Sequence, residues 1–110
     1  MKFLKNMNYK VLWSSKSETD LQNIYDYYSQ FSKITAIKMI SGFRTQAILL
    51  NKNPYIAPVE PSLDGFQKTY RSLIAKKKYK LIYTVENNHV YIVRVWDCRQ
   101  NPAKLVKFLE

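Results

Sequence analysis

The side chains best able to do chemistry lie between Thr69 and Pro102, in TYRSLIAKKKYKLIYTVENNHVYIVRVWDCRQNP. Arg71 and Lys80 sit inside β-type runs. Arg94 sits in a third run, Asp97 ends it, and Arg99 follows it. A cation in a half-buried strand is costly unless it meets an anion or its head group reaches water. The chemistry on offer is therefore recognition of an anionic group by Arg71, Lys80 and Arg99. Lys76, Lys77 and Lys78 extend this set at a turn, where three exposed lysines also suit a plain solvated tip. Asp97 is a candidate ion partner for Lys80.

The charge supports an anionic partner. The net charge is +10, with 18 Lys plus Arg against 8 Asp plus Glu. Residues 1–65 carry +3 and residues 66–110 carry +7. Such a field attracts nucleic acid, an acidic protein or an anionic membrane surface, and it also serves solubility. One cysteine, Cys98, excludes an intrachain disulfide and a cysteine-rich metal site, and His89 is the single histidine. No metal or other cofactor is expected. A lone thiol suits a reducing cytoplasm. No apolar run approaches the length of a membrane helix, and the basic start, Met1–Asn8, reads as a loose leader without a signal-peptide apolar region.

The 110 residues fit a single domain, 1–110, able to bury one core. Tyr9 to Trp13 reads as a first strand. Ser15 and Glu18 have capping-box spacing, and Leu21, Ile24, Tyr25 and Tyr28 recur at helical period, which predicts a helix over about 17–31. Ile37, Ile40, Phe43, Ala47 and Leu50, widened by Ile48, predict a second helix over about 33–52 that stops before Pro54. Residues 53–67 form a long loop with three prolines. Strands follow over 70–75, 78–86 and 89–97, with Asn87-Asn88 as a two-residue hairpin turn. Ala103, Val106 and Phe108 give a short C-terminal helix or an arm. The expected class is α+β, a two-helix hairpin on one face of a four-stranded antiparallel sheet in the order β-α-α-β-β-β.

Two-residue turns at both hairpins would pair Leu73 with Lys80 and Lys80 with Val95. Alternation then puts Arg71, Leu73, Lys80, Ile82, Tyr91, Val93, Val95 and Asp97 on one face. The other face carries Tyr70, Ser72, Ile74, Tyr79, Leu81, Tyr83, Ile92, Arg94 and Trp96, and it is the expected helix-packed side. Arg94 there needs an edge position or an acid. The first face is then left open for ligands, with Arg71 and Lys80 as diagonal neighbours.

The segments YKVLWSSKSETDLQNIYDYY and YKLIYTVENNHVYIVRVWDCRQNP, separated by a helix pair, resemble the RelE/ParE family of toxins from bacterial type II toxin–antitoxin systems, also known as plasmid stabilisation proteins. The resemblance implies a growth-inhibiting protein neutralised by an acidic antitoxin. RelE-like members cut ribosome-bound mRNA without metal, and ParE-like members inhibit DNA gyrase. For the nuclease branch the resemblance places Arg71, Lys80 and Arg99 at basic catalytic positions. Asp97 is an alternative base there, and Arg94 and the three turn lysines are added binding cations. Two features depart from that branch. Leu73 stands where a second basic residue is usual, and the tail AKLVKFLE lacks the usual tyrosine or histidine. A non-catalytic module binding nucleic acid or an acidic peptide, as an inactive toxin homologue would, is the alternative reading.

Overall fold

A computed structural model describes residues 8–109, and the leader expected over Met1–Asn8 lies almost wholly outside them. The order is β1 (Lys10–Trp13), α1 (Ser15–Ser29), α2 (Lys33–Ile48), β2 (Tyr70–Ala75), β3 (Tyr79–Glu86), β4 (His89–Asp97) and α3 (Ala103–Leu109). This is the expected α+β class with its C-terminal helix. One detail differs. The sheet order is β1-β4-β3-β2, and β1 runs parallel to β4, with Lys10 opposite His89 and Trp13 opposite Ile92. The helical hairpin returns the chain to the same end of the sheet, so a strand that precedes it and pairs with β4 has to be parallel.

The cap of α1 lies one residue before the predicted box. Ser14 is its cap: the Ser14 Oγ accepts from the Ser17 amide at 3.0 Å and donates to the Val93 carbonyl at 2.9 Å. Glu18 is not drawn back to the cap and instead pairs with Arg44 of α2. One hydroxyl thus closes a helix start and ties it to β4. Ser14→Ala is expected to cost about 1–2 kcal/mol in urea unfolding, with Ser14→Thr recovering most of it.

Leu21, Phe43, Ala47 and Leu50 bury against Tyr79, Leu81, Tyr83, Val90, Ile92 and Val95. The expected α2 stripe holds at Ile40, Phe43, Ala47 and Leu50 and shifts at its margins. Ala36 lies inside, while Ile37 and Ile48 are more than half exposed. A second cluster occupies the opposite face. Leu63, Ile82, Trp96 and Leu105 pack there with Tyr70 and Val93, covered by α3 and the short turn Pro61–Leu63. That face is therefore not simply open.

Two local irregularities reset the expected register. Lys76, Lys77 and Lys78 all lie between Ala75 and Tyr79, which pair, so the first turn holds three residues and Leu73 faces Leu81, not Lys80. The Asn87-Asn88 turn is as predicted, with both residues at positive φ, which asparagine tolerates. Further along, Tyr83 pairs with Ile92 but Ile82 with Arg94, so Val93 is an extra residue in β4. Past this bulge Lys80 faces Trp96 instead of Val95. Tyr79, Leu81, Tyr83 and Ile92 are on the helix side as expected. Tyr70 and Trp96 are not, and Ile74 is exposed.

Candidate functional site

The one-residue shift separates the cations. Arg71 aligns with Tyr83, on the helix side, while Lys80 aligns with Ile74 and belongs to the opposite side. They are not neighbours on one face. The long loop explains what holds each of them. It runs along the free edge of β2, where the Glu60 amide donates to the Tyr70 carbonyl at 2.8 Å and the Ser72 amide to the Pro58 carbonyl at 3.1 Å. From this strap the Ala57 carbonyl accepts from Arg71 at 2.7 Å, and the Arg71 guanidinium lies 5.1 Å from the Tyr55 ring centre.

On the other side the same strap delivers Glu60, which is 4% exposed. Its carboxylate accepts from Lys80 at 2.7 Å and from the Ser62 hydroxyl and amide at 2.6 and 3.1 Å. Burial pushes the Glu60 carboxyl up, but the Lys80 ammonium and the Ser62 and Ser72 groups outweigh it and hold it at about 2. Lys80 and Asp97, candidate partners by sequence, each take another.

Arg94 has its expected acid. It donates twice to Asp20 of α1, at 2.9 and 2.7 Å, and the Val95 amide donates to the same carboxylate at 2.8 Å. Asp97 accepts from Arg99 three times: from Nε at 2.9 Å, from Nη2 at 2.7 Å and from the backbone amide at 2.9 Å. The Arg99 guanidinium holds the Asp97 carboxyl below the usual range, and Asp97 holds Arg99 above its own. Arg99 also lies 6.0 Å from the Tyr79 ring centre. Burial, and then the Tyr28 hydroxyl 3.4 Å away, raise the Tyr79 phenol, so it stays protonated near neutrality. The turn lysines are exposed, and the Lys76 chain lies across Gly42 of α2.

Chemically, these cations do not converge. Arg71 faces a carbonyl on one side of the sheet, Lys80 a carboxylate on the other, and Arg99 a carboxylate at its end. Among the described residues no group of three His, Cys, Asp or Glu side chains is placed to hold a metal ion. Among them also, no helix is long and apolar enough to cross a membrane. Glu60 and Asp20 do much of the organising, and neither stands in a motif that marks it in the sequence.

Fold and site together define a small basic α+β protein whose sheet cations are bound by acceptors of its own chain. The family model for the ParE toxin of the type II toxin–antitoxin system parDE matches residues 11–102. Toxin RelE2 of Caulobacter vibrioides is 30% identical over 86 residues, spanning 78% of this chain and 91% of that protein. The chromosomal ParDE system from P. aeruginosa has a similar fold, with a TM-score of 0.70 at 19% identity over 83% of this chain and 97% of that one. The YoeB dimer from Staphylococcus aureus is similar with a TM-score of 0.55 at 21% identity, over 81% and 95%. The chain belongs to the RelE/ParE family, as a toxin of a type II toxin–antitoxin system. Membership of such a system implies an antitoxin partner.

Proposed function

We propose that this toxin arrests growth by binding DNA gyrase, as the ParE-like branch does, and not by cutting ribosome-bound mRNA. The observation that carries this reading is the separation of Arg71 from Lys80 by the thickness of the sheet, each with its own acceptor. Metal-free RNA cleavage needs a base for the 2′-hydroxyl, cations on the phosphorane and an acid for the leaving oxygen, all at one phosphate. The Lys80 ammonium already donates to the Glu60 carboxylate of its own chain, at 2.7 Å, and is not directed at a substrate hydroxyl. Leu73 aligns with Leu81 in the helix-side core, where a second basic residue would have no anion to meet. Site roles for Arg71, Arg94, Arg99 and the turn lysines are on this reading roles in binding, while Lys80 serves to hold Glu60. Action on gyrase places the protein in the bacterial cytoplasm, where an acidic antitoxin neutralises its basic surface.

The test pairs two assays on purified toxin. Gyrase supercoiling is expected to be blocked, and messages in a translating extract are expected to stay intact by primer extension. Codon-positioned cuts in translated messages, with supercoiling unaffected, would overturn the proposal.

A further inference from the structure

The turn between β2 and β3 takes a form that its residues do not favour. Lys76 and Lys77 have φ of 52° and 67°. The Lys78 amide donates to the Lys76 carbonyl at 2.7 Å, which closes a γ-turn around Lys77. With a positive φ at its centre, this is the rare and strained form of that turn. Three-residue hairpin loops ordinarily put glycine at the left-handed position. Lysine is disfavoured there, and such a conformation persists only where its surroundings hold it.

The turn is held on both sides. On one, the Cys98 amide donates to the Lys78 carbonyl at 2.8 Å and ties the turn to the chain just past β4. On the other, Lys76 reaches α2. A Cβ placed on Gly42 would stand 2.8 Å from Lys76 Cδ and 3.1 Å from its Cε and Nζ. The aliphatic stem therefore lies directly on bare helix backbone, and its ammonium reaches a groove lined by Lys38, Ser41, Thr45 and Gln46. The groove lining includes no acid, so the stem makes this contact and not an ion pair. Glycine inside a 16-residue helix is itself unfavourable. The two local costs fit each other. Gly42 makes room for the stem, and the stem holds the turn.

What the held turn presents is Lys77 and Lys78, both exposed and both on one fixed stretch of backbone. A preformed pair of cations meets an acidic surface without the ordering cost of a mobile loop. Charge complementarity of that kind sets association rate and specificity. We propose that Gly42 is a positioning residue, which seats Lys76 on α2 so that Lys77 and Lys78 are held for an acidic surface of the protein target. The target end of this rests on the gyrase reading, and the seating of Lys76 does not.

The full chain, freed of its antitoxin and labelled with ¹⁵N, is compared with Gly42→Ala. Alanine favours helix, and what its methyl meets is the far end of a flexible side chain. Urea unfolding is therefore expected to show stability unchanged or raised. Exchange of the Cys98 amide is expected to be about tenfold faster, as the hydrogen bond to Lys78 loosens. Growth arrest at equal expression and the block of supercoiling are expected to weaken together. A glycine merely tolerated in a helix would give the gain in stability with neither loss. Gly42→Ala combined with Lys76→Gly removes the crowding and supplies a residue suited to positive φ. That double variant is expected to restore Cys98 protection and part of the toxicity. The proposal falls if Gly42→Ala leaves Cys98 exchange unchanged, or if exchange quickens while growth arrest stays at the wild-type level. It also falls if lost toxicity tracks lost global stability, or if the double variant recovers neither readout. A wild-type toxin that arrests growth and leaves supercoiling untouched overturns the gyrase reading alone, because exchange and growth arrest still test Gly42.

Discussion

Asp20→Ala is expected to lower the stability of the free toxin by about 3–4 kcal/mol, among the largest losses for a single polar substitution in this chain. Asp20 accepts from both Arg94 donors and from the Val95 amide, and both partners of the ion pair are nearly buried, at 14% and 12% side-chain exposure. Alanine would leave a guanidinium without its carboxylate and a backbone amide without its acceptor. Both sit where the β4 bulge has disturbed the ladder. A buried charge stripped of its partner costs far more than the pair gains when intact. Asp20→Asn separates the two contributions. It keeps one oxygen for the Val95 amide and Arg94 Nε but removes the charge and puts a side-chain NH2, which cannot accept, toward Arg94 Nη2, so it is expected to cost about half as much. Urea unfolding of the three proteins at neutral pH measures both differences. A loss below about 1 kcal/mol for Asp20→Ala would mean that α1 is held to β4 by apolar packing alone.

The same bulge shows where the sequence stopped being legible. Periodicity located both long helices and the three later strands, because each is a run of consistent apolar spacing. It did not locate Val93 as an extra residue, since VYIVRVW alternates no worse with a bulge than without one. Nor did it reveal that Lys78 belongs to the turn. Lys76 and Lys77 adopt positive φ, a conformation that lysine has no special tendency to take. One residue at each place moves side chains to the other face. That is why Arg71 and Lys80, joined by sequence reasoning, are apart. It is also why Tyr70 and Trp96 join the second cluster.

The site was legible in its cations and, apart from Asp97, illegible in its acceptors. Arg71, Lys80, Arg94 and Arg99 stand out because a cation inside or just after a strand must be answered by something. Asp97, two residues before Arg99, was in view, but the acceptors of the in-strand cations come from far along the chain: Asp20 lies 74 residues from Arg94, and Glu60 lies 20 residues from Lys80. A loop with three prolines reads as a crossover, and only its pairing with β2 turns Glu60 inward.

Glu60 carries the second large effect, and its sign depends on pH. Its carboxyl is held at about 2 in the fold against an ordinary value of 4.5. A depressed acid contributes its stability in full above the ordinary value and loses it as pH falls toward the folded one. Glu60→Gln is therefore expected to cost about 2–3 kcal/mol at pH 7, with the gap to the wild type closing between pH 4.5 and 2. Denaturant unfolding across that window measures it, and a gap independent of pH would mean that the Lys80 pair contributes nothing through charge. The double substitution Glu60→Gln with Lys80→Met removes both charges. It should regain part of the loss, because an intact buried pair is worth less than the damage of breaking it. That variant also separates a structural Lys80 from a catalytic one. If Lys80 only answers Glu60, the folded double variant still arrests growth when expressed without antitoxin. If Lys80 acts on a phosphate, toxicity disappears while the fold survives, and the gyrase proposal loses its support.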